Sequence, residues 1–202
     1  GLDKGVTIVG EDNSDNAYFT FNGSDIPYST YVPSRIIKNN GGKELSKYVA
    51  GRFNFIYDGV HSYFYRPQGE VTEYSACVIS DNRAYICYDA FLAYAQNFLK
   101  ENKLLFGTVV DELLPDRNFK TYGLPSYSIV SLTKSGKNTV LHLKLTNPTI
   151  RNGRGIIEEH PYLKDAKLWV KGACKVYELP SLKEIPSVTE DNGTTFTATD
   201  IL

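Results

Sequence analysis

The apolar positions follow two different periods along the chain. Between Asp89 and Pro115 they recur every three to four residues, first as Phe91, Tyr94, Ala95, Phe98 and Leu99, then as Phe106, Val109, Val110, Leu113 and Leu114. That spacing predicts two amphipathic helices, the first capped by the Asp89 side chain and the second stopped by Pro115. Just ahead of them, the apolar runs 76–79 and 84–88 flank Ser80-Asp81-Asn82-Arg83, which predicts a β-hairpin. The helices are expected to cover one face of a sheet. After Pro125 the period falls to two. Residues 139–145 set Leu141, Leu143 and Leu145 on one side and Val140, His142 and Lys144 on the other, and they pair with 127–133 across the turn 134–138. The stretches 167–171, 175–179 and 194–199 continue in the same style, with turns at Gly172 and Asn192-Gly193. An antiparallel β domain, a small sandwich, is expected from about residue 126, with the boundary at 124–126.

The first seventy residues are less regular. Short strands are predicted at 5–9 and 17–21 around a polar turn, 10–16. Glu11, Asp12 and Asp15 in that turn lack the glycine and distal glutamate of an EF-hand, so a solvated turn is expected. Residues 28–37 form an extended run with Pro27 before it and Pro33 within it, as an edge or loop would. Asn39-Asn40-Gly41-Gly42 marks a sharp turn, and 43–49 reads as a short amphipathic helix. Residues 53–66 then form a loop dense in aromatic side chains.

Composition narrows the class. The 202 residues are 42% hydrophobic and 22% charged, which is ordinary for a globular protein able to bury a core. A formal net charge of −1 gives no electrostatic footprint for nucleic acid or anionic lipid, and no apolar window approaches a membrane span. The absence of Met and the leading Gly1 suggest a piece of a longer protein. Cys77, Cys87 and Cys174 have no paired spacing and read as free thiols of a reducing, cytoplasmic setting.

Candidate chemistry is sparse. Gly153-Arg154-Gly155 is too short to cradle a phosphate, and no cofactor or metal is implied. Glu158 and Glu159, beside His160, are adjacent on the chain, so on extended backbone they point apart and cannot flank one glycosidic bond. Cys87 lacks the flanking glycines of a nucleophile elbow. The stretch with the most functional character is the aromatic loop. There His61, Tyr63, Tyr65 and Arg66 set hydrogen-bonding groups beside flat rings, as a sugar-facing rim would, although a structural cross-connection would look the same.

A series of short motifs carries a family resemblance. They are Tyr85-Ile86-Cys87-Tyr88, Phe91 with Ala93-Tyr94, Leu113-Leu114-Pro115, Thr121-Tyr122-Gly123-Leu124-Pro125-Ser126, Val140-Leu141-His142-Leu143, Lys167-Leu168-Trp169-Val170 and Val176-Tyr177-Glu178-Leu179-Pro180. In this order they resemble the carboxy-terminal half of bacterial glycoside hydrolases related to β-galactosidases with a trimerisation domain. The resemblance implies an α/β plus all-β chain. Residues 1–125 would be the latter part of a flavodoxin-like, three-layer domain of the glutamine-amidotransferase-like kind, and 126–202 the antiparallel β-sandwich. It implies a non-catalytic accessory and assembly module, with the catalytic carboxylates on an amino-terminal barrel outside the chain and a trimer as its assembly. Binding of carbohydrate by the aromatic loop or the sandwich face is the other reading.

Overall fold

The computed structural model describes residues 5–13, 17–21, 24–52, 67–125, 127–146, 149–151, 154–156, 162–190 and 192–201. The chain divides into two compact units, Gly1–Pro115 and Asp116–Leu202.

The first unit holds β1 (Val6–Asp12), β2 (Tyr18–Phe19), β3 (Tyr28–Ser29), β4 (Ser34–Asn39), β5 (Lys43–Gly51), β6 (Gln68–Ser80), β7 (Arg83–Ile86), α1 (Ala90–Asn97) and α2 (Lys100–Leu113). Its seven strands make one sheet in the order β1-β4-β6-β5-β2-β3, with β7 on β6. Every pairing among the described residues is antiparallel. This corrects the flavodoxin-like expectation, whose parallel sheet needs a crossover helix between successive strands. Among the described residues, both helices follow the last strand of the unit.

The predicted hairpin is present: Cys77 pairs with Ile86 and Ser80 with Arg83 around Asp81, which takes a left-handed φ of 55°. The expected helix at 43–49 is instead strand β5, lying along β6 from Lys43 opposite Ile79 to Gly51 opposite Gln68. Its Tyr48 and Val49 are good strand formers, and both are buried. The preceding turn is built on Asn39, whose side-chain oxygen accepts from the N–H groups of Gly41 (3.1 Å) and Gly42 (2.8 Å). Gly42 passes so close to β6 that a Cβ there would stand 2.5 Å from Val78 Cγ1.

The polar stretch after residue 9 also differs from expectation. Glu11 and Asp12 belong to β1, which bulges between Ile8 and Gly10 and pairs Asp12 with Ser34 of β4. Glu11 meets Arg35 at 3.4 Å, and buried Asp12 accepts from the Tyr48 hydroxyl at 2.6 Å. The core of this unit gathers Phe19, Ile37, Tyr48, Val78, Cys77, Cys87 and Tyr88 from the sheet with Ala90, Ala93, Leu105 and Val109 from the helices.

The second unit contains β8 (Phe119–Tyr122), β9 (Ser128–Ser135), β10 (Asn138–Leu145), β11 (Thr149–Arg151), β12 (Arg154–Ile156), β13 (Leu163–Lys171), β14 (Val176–Tyr177), β15 (Glu184–Ile185), β16 (Ser187–Glu190) and β17 (Gly193–Ile201). A four-stranded antiparallel sheet runs β16-β17-β13-β8, and β9-β10, β11-β12 and β14-β15 form two-stranded ladders. The β9–β10 register sets Leu141 opposite Leu132 and Leu143 opposite Val130, as the alternating period requires. The units part before β8, ahead of the change of period near residue 125, because β8 hydrogen-bonds to β13.

Candidate functional surfaces

The sequence candidates His61, Tyr63, Tyr65 and Arg66 lie outside the described residues, as do Glu158, Glu159 and His160. His142 is on an exposed part of β10, opposite Ser131, with Nε2 3.2 Å from the Thr133 hydroxyl. Cys87 is buried, and burial pushes its thiol well above the usual range. It is therefore held as the neutral thiol, the opposite of an activated nucleophile. Cys77 is also buried and is pushed up to about 12 by desolvation. Among the described residues, no three metal-ligating side chains come together.

Two surfaces have functional character instead. The first belongs to the helices of the first unit. Asp89 caps α1 as expected, its Oδ1 accepting from Leu92 N–H at 2.9 Å. The apolar face, however, is turned differently from the expectation. Small residues, Ala90 and Ala93, are the ones α1 buries against the sheet, whereas Phe91 is 73% and Phe98 75% exposed. Phe98 has left the helix, with a left-handed φ of 53°, and leads directly into α2. On α2 the buried side chains are Asn102, Leu105 and Val109, leaving Val110 and Leu114 exposed.

Phe91 stacks on Phe106 with ring centres 4.1 Å apart, and Tyr94 meets Phe98 edge-on. The first contact bridges α1 and α2, and the second lies within α1 and the residue that ends it. A Phe side chain offers roughly 200 Å², so covering either exposed ring would contribute roughly 3 kcal/mol before the costs of association. The helix period was legible in the sequence, but an apolar stripe does not say whether it faces its own sheet or something else.

Beneath this face, α2 is tied to the sheet by polar contacts. Tyr88 donates to Asn102 Oδ1 at 2.7 Å in a fully buried bond, and the Asn102 amide nitrogen has no partner among the described residues. Lys43 at the start of β5 meets Glu112 at 2.6 Å.

The second surface is the outward side of the β16-β17-β13-β8 sheet. Ala166 and Leu168 of β13 point into the unit, so Lys167 and Trp169 between and beyond them point out. Opposite them on β8 stand Tyr122 and Lys120. Lys120 Nζ lies 5.0 Å from the Trp169 ring centre, and Lys167 Nζ lies 5.6 Å from that of Tyr122. Sequence reasoning placed Trp169 in a motif but gave it no role, because its partners lie far along the chain.

No protein-family model matches the chain, and no curated protein matches it. Among solved structures, the chain is similar to α-L-fucosidase isoenzyme 2 from Paenibacillus thiaminolyticus, with a TM-score of 0.85 and 23% sequence identity. The likeness covers 99% of this chain and 32% of that chain, so this chain spans about a third of the fucosidase's length. The two share a fold over both units.

Proposed function

We propose that the chain is a non-catalytic accessory and assembly part of a glycoside hydrolase, docking through the α1–α2 face onto the enzyme's catalytic barrel. The observation that carries this reading is the likeness of the whole chain to one third of an α-L-fucosidase. The exposed apolar side chains Phe91, Phe98, Val110 and Leu114, all on or next to these two helices, support it, since apolar surface gathered in this way ordinarily marks an interaction site. The β-galactosidase-like relationship and the trimer implied by the sequence motifs are finer parts of the same reading.

Two measurements test it. The chain alone is expected to leave chromogenic fucosides and galactosides unhydrolysed, and turnover that survives repurification would overturn the non-catalytic role. Hydrogen exchange of the amides from Phe91 to Leu114 is expected to slow when the chain is part of the longer enzyme. Equal exchange rates in both settings would remove the docking face.

A further inference from the structure

We propose that the outward face of the four-stranded sheet in the second unit is a saccharide-binding surface, with Trp169 as its platform. The indole is held in a fixed place rather than lying loosely on the surface. It lies against Gly193 of the neighbouring strand β17, where a Cβ would stand 1.9 Å from Nε1 and 2.0 Å from Cε2. Only glycine leaves that space, so the strand provides a shallow seat for the ring.

Around this seat the register brings polar groups to one plane. Thr195 and Thr197 lie opposite Trp169 and Lys167, Thr199 lies opposite Asp165, and on the far side Lys120 and Tyr122 complete the patch. Tyr122 is 47% exposed and Trp169 half-buried, so rings and hydroxyls are both open to a ligand.

A pyranose matches this pattern because one molecule carries an apolar C–H face and an equatorial rim of hydroxyls. The ring would stack on Trp169 while its rim meets the threonine hydroxyls and the lysine ammonium groups. Lys120 and Lys167 are suited to that task. Among the described residues neither has a carboxylate partner, and each rests instead over an aromatic ring. Such contacts at exposed sites are weak, so the ammonium groups can swing to a ligand. Asp165 and Glu190 lie on the same face, which opposes nucleic acid as the occupant.

The choice of a saccharide rests on the carbohydrate setting proposed above, but the site does not depend on the helix face. The chain has one tryptophan, so tryptophan emission, excited selectively over the tyrosines, reports this site alone. The full chain would be titrated with soluble xylan, galactan and polygalacturonate, following Trp169 emission and its quenching by acrylamide. At least one of these glycans is expected to shift the emission to the blue and shield the ring. Neutral and acidic glycans then distinguish recognition of hydroxyls from recognition of a carboxylate.

Gly193→Ala keeps the tryptophan but displaces it, and is expected to weaken binding roughly tenfold or more. Lys120→Gln, a surface change that leaves the fold intact, is expected to weaken it severalfold. No response to any of the three glycans would overturn the proposal, as would unchanged affinity in both variants. Neither result bears on hydrogen exchange at the helices, so failure here and failure of the docking reading are told apart.

Discussion

The buried bond between Tyr88 and Asn102 allows a quantitative test of how α2 is fixed to the sheet. Tyr88→Phe removes the donor and leaves the Asn102 carboxamide, which is fully buried, without a partner among the described residues on either end. Leaving such a group unsatisfied costs about 1–3 kcal/mol, more than the bond's own net worth of about 1 kcal/mol. Asn102→Leu keeps the branched shape of the side chain and a good helix former in the first turn of α2, but strands the Tyr88 hydroxyl at a similar cost of about 1–3 kcal/mol. The double variant removes both polar groups, and paired apolar replacement is close to neutral. We therefore expect the double variant within about 1 kcal/mol of the parent, although the single changes sum to about 2–6 kcal/mol. Urea unfolding followed by circular dichroism at the helical band is the assay. Among the described residues both helices lie in the first unit, so this signal reports mainly on it, while Trp169 emission follows the second. A double variant as unstable as the summed singles, or a Tyr88→Phe change without effect, would refute the reasoning.

The thiols give two further predictions. Cys174 is exposed while Cys77 and Cys87 are buried, so a thiol reagent should modify one cysteine in the native chain and all three after denaturation; rapid native modification of more than one would contradict the packing. Burial raises the Cys77 thiol from 9.0 to about 12, and Cys87 and Tyr88 also move upward. The folded state thus favours the neutral forms: their contribution is fully present below the unfolded value of 9.0 and is lost as pH rises from there toward 12. The stability of the first unit, followed by its urea midpoint, should fall between about pH 8 and about pH 10, by roughly 1 kcal/mol per thiol for each pH unit above the unfolded value. A midpoint that holds or rises would count against this assignment.

Local chemistry was legible in the sequence where it was self-contained. The turn at 80–83, the cap at Asp89 and the alternation of β9 and β10 each depend on neighbours a few residues away, and each is found as expected. What could not be read locally was decided at a distance. The stretch 43–49 has an ambiguous period, and it becomes a strand because β6 offers it a full edge of backbone partners. The flavodoxin-like first domain came from the family resemblance, and strand direction is set by which segments pair, which short motifs in order do not record. The outward turn of Phe91 and Phe98 follows from Ala90 and Ala93 fitting closer to the sheet. Trp169 acquires its setting from Gly193 and Lys120, neither of which is near it in the chain.

Strand β6 has one further consequence, for synthesis. It is partnered by β5 along one edge and by β4 and β7 along the other, yet it emerges after both β4 and β5. A growing chain that stops short of residue 80 carries two apolar strand edges with nothing between them, the state most open to pairing with a neighbouring nascent chain. The ribosome must deliver β6 before the first unit can close, so slowed translation while 52–80 leaves the exit tunnel should cost soluble yield, whereas a pause after the whole first unit has emerged should not.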